Sequence, residues 1–295
     1  MDAVTMSMKT VLEVISAGAA FLEKRGVESP RLNMEHLLAH VLKLKRMQLY
    51  LQFDRPLGED ELAPLRDLMK RRAAREPLQH VLGTVEFGTH TFKSDRRALV
   101  PRPETEELVE KLLTGAKKAG SPPDRVVDVG CGSGCIGLSL AAAWPEASVL
   151  LLDVSPDARS LAAENAAALG LAAPRVRIAA SDLLDAPEAA GPFDLIVANL
   201  PYIPSGEISG LSAEVRHDPA LALDGGADGL QLIERLIAQA VPKLLPGGQL
   251  ALEYGLGQAG AIAQRLDAAG FDSIRIEKDF TGRERLVFAR KPAVF

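Results

Sequence analysis

Apolar residues in the first quarter of the chain recur three or four positions apart, which is the spacing of an amphipathic α-helix. The first stripe runs through Val11, Ile15 and Leu22. Ser29 followed by Pro30 is a typical helix start, because serine caps the amino end and proline fits the first turn. Stripes of this kind form cores, so we expect a small helical unit without chemistry of its own. The pattern predicts three helices, over residues 10–25, 30–45 and 59–75.

The periodicity changes after the third helix. Short apolar runs around Gly83 and Gly88 predict two strands, over residues 78–85 and 87–94, that pair as a hairpin. Residues 100–106 then read Val-Pro-Arg-Pro-Glu-Thr-Glu. Two prolines exclude a regular strand and stiffen the entry to the helix that follows. We interpret this segment either as a linker between domains or as one wall of a cofactor pocket.

From residue 125 onward, strand-like and helix-like segments alternate, which predicts a parallel sheet with crossover helices. The last two strands are joined by only a few residues and should be antiparallel neighbours. The predicted fold is therefore α/β, a doubly wound, mostly parallel sheet with an antiparallel last strand, plus a small N-terminal helical domain. The predicted strands are 126–129, 148–153, 176–180, 195–198, 249–254, 273–278 and 285–289, and the helices are 134–143, 156–169, 229–245 and 257–269.

The composition of the 295-residue chain, with 47% hydrophobic and 25% charged residues, is that of an ordinary globular protein. Its length suggests about two domains. No apolar run is long enough to span a bilayer, and the first residues lack the apolar core of a signal peptide. We therefore expect a cytoplasmic protein with no membrane association and no targeting segment.

The net charge of −5 argues against broad nucleic-acid binding. Residues 1–75 differ, with 13 Lys and Arg against 10 Asp and Glu. Much of that basic charge lies in the run Lys70–Arg75, which we interpret as a solvated helix end favoured by the helix dipole. The two cysteines, Cys131 and Cys135, have no further Cys or His nearby to complete a metal site. We interpret them as small buried residues.

A glycine-rich turn follows the first strand of the α/β region. Gly130, Gly132 and Gly134 permit positive φ angles and a close approach of the backbone to a ligand. The next strand ends in Asp153, at the distance where an acid binds ribose hydroxyls in dinucleotide sites. The spacing from Asp128, Asp-x-Gly-x-Gly-x-Gly, differs from the dinucleotide form and resembles motif I of the S-adenosylmethionine-dependent methyltransferases.

A second candidate site follows the strand that ends near residue 198. The side-chain oxygen of Asn199 can accept one N–H of a planar NH2 group, and the carbonyl of Leu200 can accept the other. Pro201 and the ring of Tyr202 can pack on the plane of that group. Asn-x-Pro segments at strand ends also simply make turns, so this run alone leaves both interpretations open.

Together the motifs resemble one family, the protein-(glutamine-N5) methyltransferases that modify peptide-chain release factors. The likeness covers nearly the whole chain, and its most selective parts are the Pro-Arg-Pro-Glu-Thr-Glu segment and the helical N-terminal region. There is one departure, at residue 200. The family pattern is Asn-Pro-Pro-Tyr, whereas residues 199–202 of this chain read Asn-Leu-Pro-Tyr. The matching positions are 29–31, 75–78, 87–88, 100–106, 128–134, 153, 181–182, 199–202 and 218–229.

The resemblance implies transfer of a methyl group from S-adenosylmethionine to the side-chain amide nitrogen of the glutamine in a Gly-Gly-Gln motif. The protein partner would be a release factor, with no direct nucleic-acid binding. The implied domains are a substrate-recognition domain over 1–75, a β-hairpin linker over 76–106 and a methyltransferase domain over 107–295.

The resemblance also assigns roles to residues of this chain. Asn199 and Tyr202 are the catalytic candidates, and Leu200 and Pro201 are further substrate contacts. Within the cofactor site, Asp182 would receive the adenine amine. The implied cofactor-binding residues are Asp128, Gly130, Cys131, Gly132, Ser133, Gly134, Asp153, Asp182, Leu183 and Asn199.

Three alternatives remain at this point. An adenine-N6 nucleic-acid methyltransferase would bind the adenine NH2 group with the same residues, 199–202. Such an enzyme also needs a basic, aromatic-rich surface to hold a flipped base. A methyltransferase acting on a glutamine of a ribosomal protein would share nearly every motif. A cofactor-binding scaffold without catalysis would be expected to have lost Asn199 or Tyr202, and both are present.

Overall fold

The computed structural model describes residues 9–293. Two compact units share the chain. The helical unit comprises the residues up to Gly83 together with Ala213–His217, and the sheet unit comprises Thr84–Ser212 and the chain from Asp218 onward. The domain limits at residues 75 and 106 stay a prediction about which parts fold independently. The expectation about a targeting segment falls on residues 1–8, outside the described range.

The helical unit is built on the apolar stripes seen in the sequence. Thr10 caps the first helix, because its side chain accepts from the backbone N–H of Glu13 while the Glu13 carboxylate accepts from the Thr10 N–H. Met34, Leu37 and Leu38 are fully buried against this helix and its neighbours. The helices are α1 (Val11–Glu23), α2 (Pro30–Leu42), α3 (Arg46–Leu49), α4 (Glu59–Ala73) and α5 (Leu78–Leu82).

The basic end of α4 is not simply a solvated surface. Arg72 is buried, and its guanidinium donates to Asn33 Oδ1 at 2.7 Å and to Glu214 Oε1 at 3.0 Å. Burial raises the pKa of Glu214, but hydrogen bonds from Arg75 and Arg72 outweigh it and lower the pKa to about 2. The interpretation as a solvated helix end is therefore wrong for Arg72, which ties Ala213–His217 to the helical unit.

The predicted strand over 78–85 is wrong in its first half, which forms α5. The carbonyl of Pro77 accepts from the backbone N–H of Val81 at 3.0 Å and closes a helical turn. Gly83, with φ of 76°, ends the helix in the left-handed conformation that glycine adopts without strain. Leu78, Val81 and Leu82 also fit helical spacing, so the short apolar run was ambiguous.

The predicted hairpin is confirmed for its remaining residues, since Thr84–Phe87 and His90–Lys93 form two strands that pair antiparallel. The helices of the sheet unit are α6 (Pro103–Ala119), α7 (Cys135–Ala143), α8 (Pro156–Ala168), α9 (Gln231–Lys243) and α10 (Ala259–Ala268). The strands are β1 (Thr84–Phe87), β2 (His90–Lys93), β3 (Arg125–Val129), β4 (Ser148–Asp153), β5 (Val176–Ala180), β6 (Phe193–Asn199), β7 (Leu244–Glu253), β8 (Asp272–Lys278) and β9 (Glu284–Arg290).

The main sheet has the order β5-β4-β3-β6-β7-β9-β8 in the described part of the chain. Strands β3 to β7 pair in parallel, and β9 runs antiparallel between β7 and β8. The predicted fold class is thereby confirmed. Strand order reverses between β3 and β6, and ligands of doubly wound sheets bind at the carboxyl ends of the strands beside such a reversal.

Alternate residues of each central strand enter apolar layers on opposite faces of the sheet. Val127 and Ile196 pack with α9 and α10 on one face, whereas Val126 and Val197 pack with α6, α7 and α8 on the other. Burial on both faces explains the continuous apolar runs in these parallel strands. Within residues 9–293, no helix combines the length and the apolar character needed to cross a membrane.

Candidate active site

A cavity of about 390 Å³ lies at the carboxyl ends of β3, β4, β5 and β6, beside the reversal in strand order. This volume is in the range of small-molecule sites. The lining residues come from the loops after these strands and from the segment before α6. They include Ala98, Pro101, Thr105, Gly130, Cys131, Gly132, Ser133, Asp153, Asp182, Leu183, Asn199, Leu200, Pro201, Leu221 and Arg235.

The glycine-rich turn forms the floor of the cavity. Gly130, Gly132 and Gly134 have φ angles of 70°, 55° and 82°, so each needs the conformational freedom of glycine. A Cβ on Gly130 would lie 2.8 Å from the side chain of Leu200, and a Cβ on Gly134 would lie 2.9 Å from that of Leu138. Glycine at these positions therefore keeps the backbone of the turn free of side chains at the cavity and lets Leu200 and Leu138 pack closely against it.

Asp153 ends β4 and faces the turn. Its Oδ2 accepts from the Gly132 N–H at 2.9 Å, and its Oδ1 accepts from the Ser155 N–H at 2.8 Å. A carboxylate can accept about four hydrogen bonds, so each oxygen has capacity for one ligand hydroxyl. Asp153 thus combines a fixed orientation with the acceptors that a ribose hydroxyl pair requires.

Asp128 does not line the cavity. Its side chain is fully buried beneath the turn, where Oδ2 accepts from the Gly137 N–H at 2.8 Å. Burial raises the pKa of Asp128 to about 7. In the structure, the Asp128 side chain links β3 to the start of α7 through this hydrogen bond. The cofactor-binding role that the resemblance implies for Asp128 stays a prediction.

The far wall of the cavity carries Asp182 and Leu183. Asp182 is exposed, and its Oδ2 accepts from Arg235 at 2.7 Å, which leaves Oδ1 for a ligand N–H. Leu183 is buried with φ of 55°, a left-handed conformation that costs a non-glycine residue free energy. A strained apolar residue beside an acid is consistent with a site for a planar ring bearing an amine.

Asn199 ends β6 at the opposite end of the cavity. Its Nδ2 donates to the hydroxyl of Thr105 at 3.0 Å, and that hydroxyl donates to Glu253 Oε2 at 2.7 Å. The hydroxyl of Tyr202 reaches the other oxygen of Glu253 at 3.4 Å. Burial raises the pKa of Glu253 to about 7, and burial with the Glu253 charge raises the pKa of Tyr202 well above its usual value.

The segment after Asn199 is held from behind by a glycine-rich loop. A Cβ on Gly225 would lie 2.7 Å from the Pro201 carbonyl oxygen, and a Cβ on Gly229 would overlap the Tyr202 carbonyl oxygen. The side chain of Gln258 donates to that same Tyr202 oxygen at 2.9 Å. The backbone of this segment is therefore fixed, and the glycines of the 218–229 motif are explained by close packing.

The proline-rich segment before α6 is a wall of the cavity rather than only a linker. Asp218 accepts from the Val100 N–H at 3.3 Å and from Arg102 at 2.7 Å, and its side chain is buried. Pro103 begins α6, whose third residue is Thr105. The segment thus delivers the Thr105 hydroxyl to Asn199.

Ten of the thirteen predicted site residues line the cavity, and Asp128, Gly134 and Tyr202 do not. Cys131 is among the lining residues, and burial raises its pKa well above the ordinary thiol value. Sequence reasoning missed Thr105 and Glu253. For Thr105 the available signal was its place in the 100–106 segment, one of whose interpretations was a wall of the pocket. For Glu253 the signal was an acid at the end of an otherwise apolar strand, residues 250–254.

Comparison with known proteins gives the family. A model described as the PrmC N-terminal domain matches residues 13–83, and one described as a methyltransferase domain matches residues 126–217. The release factor glutamine methyltransferase of Deinococcus radiodurans is 44% identical over 279 residues, covering 95% of this chain and 98% of that protein. The chain belongs to the release factor glutamine methyltransferase family. The Geobacter sulfurreducens member is 42% identical over 283 residues, covering 95% and 96%.

A solved structure gives independent support for the fold. The T. thermophilus 16S rRNA N2 G1207 methyltransferase, in complex with AdoMet and guanosine, matches with a TM-score of 0.52 and 20% identity. The match covers 70% of this chain and 49% of that one. At this identity the likeness shows a shared methyltransferase fold and nothing finer.

Leu200 stands where the Asn-Pro-Pro-Tyr pattern of the sequence resemblance has a proline, and we predict that Leu200→Pro keeps or raises activity. Asn199 is the last residue of β6, and the extended conformation suits a residue that precedes proline. The ring stiffens the backbone, whereas the buried leucine packing near Gly130 is lost. We expect a single-turnover rate between one and about three times that of the unmodified protein.

Leu200→Ala is the matched control, because it removes the same side chain without adding the ring. It should be slower than Leu200→Pro. An inactive Leu200→Pro variant beside an active Leu200→Ala variant would show that the backbone N–H or the φ angle of residue 200 is essential.

Proposed function

We propose that this protein transfers a methyl group from S-adenosylmethionine to the side-chain amide nitrogen of the glutamine in the Gly-Gly-Gln motif of a release factor. The observation that carries the proposal concerns the hydrogen bonds of the Asn199 side chain. Its nitrogen donates to the Thr105 hydroxyl, whereas its oxygen has no hydrogen-bond partner among residues 9–293. Asn199 and Leu200 both line the cavity, so the Asn199 side-chain oxygen and the Leu200 carbonyl belong to adjacent residues of its wall. Two neighbouring acceptors suit a substrate NH2 group.

The cavity suits the cofactor. Its bare glycine backbone admits close approach, Asp153 offers acceptors for a ribose, and Asp182 with Leu183 suits an adenine ring. S-adenosylmethionine supplies a methyl group on a positively charged sulfur, which leaves as a neutral thioether.

The reaction is limited by the weakness of its nucleophile. The lone pair of an amide nitrogen is delocalised into the carbonyl, and no ordinary side chain can remove an amide proton beforehand. Asn199 Oδ1 and the Leu200 carbonyl would accept the two N–H bonds of the substrate and leave the lone pair facing the methyl carbon. Their partial negative charges would also stabilise the positive charge that develops on the nitrogen as the methyl group is transferred. The methylated nitrogen would then release one of its two protons to water, so that the product is a neutral amide. Most of the gain is then positioning plus electrostatics.

Labelled S-adenosylmethionine tests the proposal directly. The protein is incubated with a release factor, a ribosomal protein or double-stranded DNA, and the acceptor is identified by mass spectrometry. We expect label on the release factor, at the glutamine of Gly-Gly-Gln, and none when that glutamine is replaced by alanine. Label on the ribosomal protein or on DNA alone would overturn the proposal in favour of the corresponding alternative.

We further propose that the reaction takes place in the cytoplasm and involves no direct nucleic-acid contact. Release factors act on cytoplasmic ribosomes, so their modification belongs in the same compartment. The net charge of −5 and the low aromatic content of 4% do not suit a groove for nucleic acid.

We also propose that the helical unit recognises the body of the release factor. Met47 and Leu51 are spaced one helical turn apart at α3 and the turn after it, with relative exposures of 65% and 86%. Large apolar side chains this exposed suit a protein partner. The neighbouring residues Lys43 and Lys45 add basic charge, whereas Arg46 is paired with Glu35 at 2.9 Å.

We predict that Leu51→Glu raises the KM for intact release factor roughly 5- to 30-fold, the effect of losing one well-placed apolar contact. The turnover number and the cofactor affinity should not change. Leu256→Glu is the matched control, since that leucine is 55% exposed in the sheet unit and does not line the cavity. Equal KM values for Leu51→Glu and Leu256→Glu would remove this surface from recognition.

A further inference from the structure

We propose that Thr105 and Glu253 are positioning residues that hold the side-chain amide of Asn199 in one orientation, with its oxygen toward the substrate. This inference rests on the proposed function and goes beyond it, because it names two residues that would set the rate without touching the substrate.

The direction of the hydrogen bonds fixes the orientation of the amide. A threonine hydroxyl has one hydrogen to donate, and Thr105 donates it to Glu253 Oε2 at 2.7 Å. Toward Asn199 the hydroxyl can therefore only accept. The amide group that faces it, at 3.0 Å, must be the NH2, so the oxygen points away from Thr105.

Glu253 is the anchor of this chain of bonds. It is only 2% exposed, and once it is ionised, above its pKa of about 7, its carboxylate can only accept hydrogen bonds. Asn199 and Glu253 are direct partners in the parallel register of β6 and β7, so their side chains leave the same face of the sheet. The Tyr202 contact at 3.4 Å is longer than a strong O–H···O bond. Glu253 therefore acts on Asn199 through its hydrogen bond with Thr105 and not through Tyr202.

The opposite orientation of Asn199 would be unproductive. It would aim the NH2 of Asn199 at the NH2 of the substrate glutamine, donor against donor. The substrate could still bind through its other contacts, but its amide nitrogen would lose an acceptor. Loss of Thr105 or Glu253 should therefore lower the rate of transfer more than it weakens binding of cofactor or release factor.

Three variants separate orientation from packing. Thr105→Val keeps the shape of the side chain and removes the hydroxyl, whereas Thr105→Ser keeps the hydroxyl. Glu253→Gln can donate to Thr105 as well as accept, so the direction of the bonds is no longer fixed. Ser139→Ala is the control, because the buried Ser139 hydroxyl has no hydrogen-bond partner among residues 9–293 and lies away from the cavity.

Single-turnover transfer to a release factor is measured well above the Glu253 pKa of about 7. Thr105→Val and Glu253→Gln should be roughly 10- to 100-fold slower, as when a supporting hydrogen bond to a ligating side chain is lost. Cofactor affinity and the KM for release factor should stay within about threefold, and Thr105→Ser and Ser139→Ala should stay within about threefold of the unmodified rate. An unchanged rate for Thr105→Val, or a Thr105→Ser variant as slow as Thr105→Val, would overturn the inference.

A second measurement needs no substrate and separates this inference from the proposed function. The side-chain NH2 of Asn199, observed by ¹⁵N NMR, should exchange its hydrogens more slowly in the unmodified protein and in Ser139→Ala than in Thr105→Val. If the unmodified protein labels no release factor, the proposed function fails while this difference still supports the fixed amide. Equal exchange in Thr105→Val and the unmodified protein would overturn the fixed amide, whatever the substrate.

Discussion

Asn199→Ala should reduce methyl transfer to a release factor by about 10²- to 10³-fold, which is the usual cost of removing one preorganised polar group that acts on the reacting centre. The side-chain oxygen is the proposed acceptor for the substrate amide, and alanine cannot replace it. Single-turnover transfer with saturating cofactor and release factor is the measurement, because it reports the chemical step rather than product release.

Stability should change little in the same variant. Asn199 is half-buried at the end of β6, and within residues 9–293 its side chain makes one hydrogen bond, to Thr105. Losing that bond costs about 1 kcal/mol. Thermal unfolding and cofactor titration therefore serve as controls. Near-normal transfer by Asn199→Ala would remove this residue from the acceptor site, whereas a large fall in unfolding temperature would show that it acts on the fold.

The alternating part of the fold could be predicted because each element depends on local signals. Strands Ser148–Asp153 and Val176–Ala180 have the limits that the apolar runs indicated, and the antiparallel pairing of β8 and β9 followed from their short connection. Leu78–Leu82 could not be assigned correctly from a five-residue apolar run. Its state is decided by Pro77 and Gly83, which close and end a helical turn.

The site residues in recognisable sequence motifs were predicted, whereas site residues that distant segments of the chain bring together were missed. The glycine turn and Asp153 follow adjacent strands, so the sequence pattern alone brings them together. Thr105 and Glu253 are 148 residues apart in the chain and meet only because β7 lies beside β6 and α6 begins over that edge. Asp128 shows the opposite case, because its motif position was recognisable but its burial beneath the turn was not.

Asp153→Ala should weaken the affinity for S-adenosylmethionine between about tenfold and about 150-fold, corresponding to about 1.5–3 kcal/mol for hydrogen bonds to a charged group. Part of that loss comes from the ligand hydroxyls and part from the turn, because Gly132 and Ser155 both donate to this carboxylate. Calorimetric titration is the measurement. Asp157→Ala is the matched control, since it removes an exposed acid four residues later that does not line the cavity, and its affinity should stay unchanged. Equal affinities in the two variants would show that the ribose binds elsewhere. Another part of the ligand would then have to lie beside the glycine turn.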